Sequence, residues 1–264
     1  MLDTKILKSQ LIFIAILAGA TFSVFSLLRA GYSAVLVVNF VALTIFVFVL
    51  FLEKVMPFKK TWNEKDPQTL NDIGHTLFGT GLGAAVGDFV TKLVFSTIAL
   101  CLSQKVGMTI WPTQWPLFFQ IILVYLIAEL GRYWQHRLMH LHPKLWQYHR
   151  LHHSIDRMGV LKTSRSHIME RIFQQVFMFS CLLVIGTPTD VMLYYIIPNS
   201  FLGMIDHSNI DLKLGYLEYI IMGPGGHRLH HSQDMIHGNS NFGSALMFWD
   251  MIFGTFINPL KTTP

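Results

Sequence analysis

Charge is scarce in this sequence. Asp, Glu, Lys and Arg make up 13% of its 264 residues, and apolar residues make up 52%. A soluble domain carries roughly 25% charged residues, and the mean hydropathy here is +0.45. An ordinary soluble domain is therefore excluded, and one compact membrane domain over 1–264 is expected. Cysteine is nearly absent. Cys101 and Cys181 both sit in apolar runs, so there is no disulfide framework. The formal net charge of +5 is scattered over loops, without the basic stripe and interleaved aromatics of a nucleic-acid partner. Long-period repeats and haem, flavin or iron–sulfur motifs are also missing, so any redox chemistry needs electrons from outside.

Long uncharged runs are what the chain has instead. Residues 9–28 and 31–52 form a transmembrane hairpin, 1–52, since about 20 apolar residues cross a bilayer core. A polar linker follows at 53–72. The run 73–103 contains Asp88 and Lys92 at i,i+4, where an internal ion pair or a helix break near Gly87 is expected. A turn at 104–116 precedes an apolar helix over 117–131. Two shorter runs, 172–187 and 190–205, are full spans or a re-entrant pair. Pairing the runs as hairpins places Lys5, Lys8, Lys54, Lys59, Lys60, Lys65 and every basic residue from Arg132 onward on one side. Only Arg29, Lys92 and Lys105 fall elsewhere, which marks the basic side as cytoplasmic. The expected fold is an all-α integral membrane bundle of about four to six membrane helices under a cytoplasmic, histidine-rich helical cap.

Histidine is the concentrated residue. Twelve of thirteen lie between 136 and 237. His136 and His140 are at i,i+4; His149, His152 and His153, and again His227, His230 and His231, are at i,i+3,i+4. Each group shares a helix face and reads as a ligand set. A lone histidine on an apolar face is usually a hydrogen-bonded core residue, but that does not account for eight in three groups. Eight imidazoles exceed the four ligands of a tetrahedral zinc, so two ions of higher coordination fit better. A zinc protease is disfavoured, because His136-Arg-Leu-Met-His140 lacks the glutamate of H-E-x-x-H. On the residues alone, a metal-dependent enzyme and a non-catalytic metal-binding or metal-transporting membrane protein both remain open.

The spacing H-x(3)-H, H-x(2)-H-H and a later H-x(2)-H-H resembles the fatty acid hydroxylase/sterol desaturase superfamily of membrane di-iron enzymes. Flanking residues add to the likeness. Glu129 leads into Tyr133-Trp134-Gln135-His136-Arg137, with Glu where Asp is more usual. Pro143-x-Leu145-Trp146 bridges the first two boxes. Ser166-His167-Ile168-Met169-Glu170 carries Ile where that element has proline. Asp206-His207-Ser208-Asn209, Asn241-Phe242-Gly243 and Trp249-Asp250-x(2)-Phe253-Gly254-Thr255 complete the match.

The resemblance implies a catalytic region over 117–257 and two non-haem iron ions. His136, His140, His149, His152, His153, His207, His227, His230 and His231 would be the ligands. O2 is the implied co-substrate, and the reaction is hydroxylation or desaturation of a sterol, sphingoid or fatty acyl lipid taken from the bilayer. An external electron-transfer protein of cytochrome b5 or ferredoxin type would supply the electrons. Glu129, His167, Glu170, Asp206, Asp234 and His237 are expected around the ligands. His142 and His75 are read as surface or interfacial residues, and Trp249, Phe253 and Phe256 as packing under the site. A bacterial inner membrane is expected, or the endoplasmic reticulum in a eukaryote, with the site on the cytoplasmic side.

Overall fold

A computed structural model describes residues 4–106 and 110–262. The ends of the 1–264 domain and of the 1–52 hairpin, and part of the 104–116 turn, lie outside the described residues. The fold is a bundle of helices with no strand among the described residues. Four helices are long and apolar enough to cross a membrane: α1 (Thr4–Arg29), α2 (Ala34–Val55), the continuous helix Thr69–Lys105, and α5 (Leu117–Leu141). The third of these comprises α3 (Thr69–Gly74), a π-helical segment (His75–Leu82) and α4 (Gly83–Val106).

The two shorter runs become α7 (Ile168–Val184) and α8 (Thr189–Asp206). They are joined by a turn in which Gly186 takes φ 78°, a conformation that glycine adopts without steric cost. Helix α7 lies against both α4 and α5, and α8 against α1, α2 and α5. The contact of α7 is made at close range. A Cβ on Gly131 of α5 would stand 2.1 Å from the Phe177 carbonyl oxygen, and one on Gly79 would stand 2.0 Å from that of Ser166. Small residues at such points let helix backbones meet inside a membrane. Gly87 serves the same purpose against Gln175, and the helix does not break there. Asp88 and Lys92 form the expected pair at 2.8 Å.

One apolar core joins α1, α2 and α8 through Phe13, Val24, Val49, Phe201 and Ile205. A second joins α5, α7 and α8 through Val124, Ala128, Leu182 and Tyr195. The outward faces of the long helices remain apolar, with Phe22, Phe40, Phe89 and Phe118 exposed, as lipid-facing surfaces require.

The site sits at the ends of α5 and α8, under the cap. Lys5 reaches Asp211, and Gln10 donates to the Leu214 carbonyl, which ties the start of α1 to the segment after α8. At the end of α2, Glu53 is buried and accepts from the backbone N–H groups of Val160 and Asn209, each at 2.8 Å. Isolated bridges Pro57–Ile210 and Ile221–Leu246 pin the remaining loops. The cap carries α6 (Pro143–His153), α9 (Pro224–His230), α10 (Met235–Gly238) and α11 (Phe248–Ile252). Pro143 and Pro224 open their helices, where a missing N–H costs nothing.

Candidate metal centre

Nine histidines converge in two groups. His136, His140, His149, His153 and His230 form the first; His152, His207, His227 and His231 form the second. Within each group one nitrogen per ring lies within 4.8 Å of all the others. The groups do not follow the sequence boxes, which is a correction to reading each box as a ligand set. In both H-x(2)-H-H boxes the i,i+4 pair stays together and the i+3 member leaves. His149 and His153 join the first group and His152 the second; His227 and His231 join the second and His230 the first. Helix geometry explains this. At about 100° per residue, i+4 lies about 40° from i on one side and i+3 about 60° on the other. Two boxes facing each other thus exchange their middle histidines and close two cages.

Five of the nine rings are held by the far nitrogen. Nδ1 of His136 donates to the Phe242 carbonyl at 2.9 Å, that of His152 to Arg165 at 3.1 Å, that of His207 to Gly203 at 3.0 Å and that of His230 to Ser240 at 2.8 Å. Nδ1 of His149 faces Glu170 Oε1 at 3.0 Å. A carbonyl only accepts, so these Nδ1 atoms carry the proton and the Nε2 atoms carry bare lone pairs. Yet Nε2 of His152 and His207 lie 3.1 Å apart. Two lone pairs at that distance repel unless a cation lies between or beside them. Nε2 of His140 and Nδ1 of His227 and His231 are also buried without a partner. This donor set fits two metal ions bound by neutral imidazoles.

Electrostatics favour the neutral rings. Burial, followed by repulsion from neighbouring imidazoles, drives His149, His152, His153, His227 and His231 well below the ordinary histidine range. Burial also brings His207 to about 3 and His230 to about 4. Unprotonated imidazole is the form that ligates.

The cages are braced from outside. Asp72 on α3 binds Lys162 at 2.7 Å and Arg165 at 2.8 Å, and Asp66 binds Lys162 at 2.8 Å. Arg165 in turn presents the carbonyl that holds His152. Trp146 lies over His140 and His153, with ring centroids 5.2 and 5.5 Å away. A cavity of about 1090 Å³ between α2, α4, α7 and α8 opens onto His136, His152, His207 and His227. Helix α8 lines it from Thr189 to Asp206, a run of about 26 Å at 1.5 Å per residue.

A profile of the family described as Fatty acid hydroxylase matches residues 121–255. The chain belongs to this family. Among similar proteins, ornithine lipid hydroxylase OlsE of Rhizobium tropici is 38% identical over 224 residues, covering 84% of this chain and 67% of that protein. Alkylglycerol monooxygenase of Xenopus tropicalis is 28% identical over 218 residues, covering 81% of this chain and 46% of that protein. Methylsterol monooxygenase 1 of Rattus norvegicus is 28% identical over 131 residues, covering 49% and 43%. The chain thus spans about two-thirds of the first of these relatives and under half of the other two. No solved structure matches it.

Within this family frame the remaining expected residues divide. Glu170 touches His149 directly. Glu129 touches no histidine; it accepts from Tyr195 and from the backbone N–H groups of Ser244, Ala245 and Leu246, fixing the loop that follows Phe242. Asp206 is buried beside His207 with one oxygen unpartnered. Asp234 caps α10 and pairs with His237 at 3.3 Å, and neither joins a cage. His167 caps α7 by accepting from Met169 N–H. His142 is exposed before α6, and His75 starts the π-helical segment. Trp249 bonds the Leu126 carbonyl and Phe253 stacks on Tyr133, so both pack beneath the site; Phe256 packs on Tyr219. Sequence reasoning missed the Asp72 network, the cover by Trp146, and Arg132, which lines the cavity one turn before His136. The i,i+4 spacing to His136 was a usable signal for the last of these.

Proposed function

We propose that this chain is a non-haem di-iron hydroxylase of a polar membrane lipid. The observation that carries it is the pair of bare Nε2 atoms of His152 and His207, backed by the matching cage of five histidines around His136. His136, His140, His149, His153 and His230 would hold one iron; His152, His207, His227 and His231 would hold the other. Two ferrous ions bound there would activate O2 for attack on an unactivated C–H bond. The balanced reaction consumes O2, two electrons and two protons per lipid and yields the alcohol and water. The electrons are assigned to an external cytochrome b5- or ferredoxin-type donor.

The chain's own residues perform the rest. Main-chain carbonyls and Glu170 orient the imidazoles, so the cages are formed before any ion arrives. The cavity, with Phe179, Leu183, Met192 and Ile196 in its lining, admits the lipid. Trp146 shields the first cage on its other side. The first relative acts on ornithine lipid by its name, and an acylated amino-acid lipid is the favoured substrate class here. Residues 117–257 would form the catalytic region and 1–52 an accessory transmembrane hairpin. The lysines at the histidine end, Lys54, Lys59, Lys60 and Lys65 among them, support a cytoplasmic placement of that end, and a bacterial inner membrane is favoured. Metal transport fits poorly, since both cages lie at one end of the bundle.

The test is the lipidome of a host with and without the chain, beside the His152→Ala variant. One added oxygen on an amino-acid lipid, dependent on His152, is the expected result. Loss of two hydrogens instead would make the chain a desaturase. No lipid change from a chain purified with two irons, assayed with a working electron donor, would refute the reading.

A further inference from the structure

Three arginines have a buried Nε without a partner: Arg132, Arg165 and Arg228. Two of them have their charge answered. Arg165 pairs with Asp72, and Arg228 lies over the Phe58 ring at 4.0 Å. Arg132 has only the neutral Gln135 side chain, and no carboxylate within ion-pair distance among the described residues. The neighbouring carboxylates are turned elsewhere. Both oxygens of Glu129 are used by Tyr195 and the 244–246 backbone; Glu170 Oε1 faces His149, and its Oε2 is buried in the same cavity without a hydrogen-bond partner, beyond ion-pair distance of Arg132. Of the three arginines, Arg132 alone lines the cavity.

A guanidinium cannot shed its charge, and an unpaired one inside a membrane helix is costly. Such a residue marks a functional partner that arrives from outside the chain. A second guanidinium, Arg171, lines the same wall; Ser166, Gln174 and the Thr163 carbonyl hold it in place, also without an ion pair among the described residues. The cavity thus offers two guanidinium groups beside the histidines, with Glu170 and Asp206 in the same lining. Further along α7 and α8 its lining turns apolar, with Phe179, Leu183, Met192 and Ile196. A lipid drawn into this space is sorted by polarity: its anion beside Arg132, its tail along α8.

We propose that Arg132 is the binding point for the carboxylate of an acylated amino-acid lipid, and that it presents head-group carbons, rather than the acyl tail, to the histidine cages. This rests on the lipid hydroxylase reading above. The planar fork of arginine matches a carboxylate in a bidentate way. Arg132 precedes His136 by one helical turn, about 6 Å along the axis, so the carbon brought to the cages lies only a few bonds from the anion.

The experiment measures binding of radiolabelled lipid to the full chain in nanodiscs, without an electron donor. The probes are an N-acylornithine lipid, its carboxyl methyl ester and phosphatidylglycerol. The unsubstituted chain is expected to prefer the acid over the ester by at least about tenfold, the usual strength of a charged hydrogen bond. Arg132→Gln should abolish that preference, and Arg132→Lys should keep part of it, with metal content and melting temperature unchanged. A preference that survives Arg132→Gln overturns the role of Arg132 and leaves the substrate class standing. Arg132-dependent binding of phosphatidylglycerol alone overturns the carboxylate and the amino-acid lipid together, leaving an anion site for phosphate. No preference in the unsubstituted chain overturns the proposal whether or not the variants fold.

Discussion

Nε2 of His152 and Nε2 of His207 lie 3.1 Å apart although the Nδ1 of each ring is already committed to a carbonyl. The two rings come from helices 55 positions apart in the chain. Their mutual repulsion is tolerable only if a cation shares them, so stability and metal occupancy should be linked. Adding ferrous iron to the metal-free chain is expected to raise its melting temperature, and a chelator should reverse the rise. An unchanged melting curve would count against the cages as metal sites.

The cages should be separable by mutation. His207→Ala touches only the four-histidine group. Iron content measured by mass spectrometry is expected to fall from about two per chain to about one. Full occupancy in that variant would remove His207 from the ligand set.

Glu170 acts through His149. Glu170→Ala should leave the fold intact and weaken iron binding by about 10- to 100-fold, the usual effect of losing such a partner. Competition with a graded series of chelators reads this directly. Glu170→Gln, which still accepts a hydrogen bond, should recover part of the loss.

Asp72 lies far from both cages in sequence yet braces one of them through Arg165. Removing one partner of a buried ion pair costs about 3–5 kcal/mol. Asp72→Ala is expected to destabilise the chain by about that amount in denaturant titration. It should also loosen iron more in the cage of His152 than in that of His136. Equal loss from both cages would argue that the network supports the fold alone.

Acid should weaken the metal-free chain. His207 at about 3 and His230 at about 4 sit below the ordinary histidine value. As pH falls below about 6.5, the unfolded chain therefore takes up protons that the folded chain refuses. Stability should be fully present above that value and decline as pH falls through the window down to about 4 and then 3. A melting temperature independent of pH across that window would mean that these rings are protonated in the fold.

Much of this architecture could be read from the residues. Uncharged runs located the long helices because bilayer thickness leaves few alternatives for 22 apolar residues such as Ala34–Val55. Helical spacing gathered His136 with His140. What escaped was set by contacts between distant loops, which leave no periodic trace. Asp72 with Arg165 and Glu129 with the 244–246 backbone are side chains meeting partners across the whole fold. His207 stands alone at the end of α8, and only the family pattern singled it out. The exchange of His152 and His230 between cages was implicit in the difference between i+3 and i+4, but it becomes visible only when the two boxes face each other.

Four of the nine imidazoles are aimed by main-chain carbonyls of Phe242, Arg165, Gly203 and Ser240. Every amino acid supplies that carbonyl, so the aiming survives any substitution at those positions that keeps the backbone path. The proposed lipid anchor is built the opposite way, from the side chain of Arg132, which a single codon can exchange. Descendants of such a chain can drift from one lipid to another while the metal-holding part stays unaltered, and a mutational scan would under-report the atoms that make this inheritance safe.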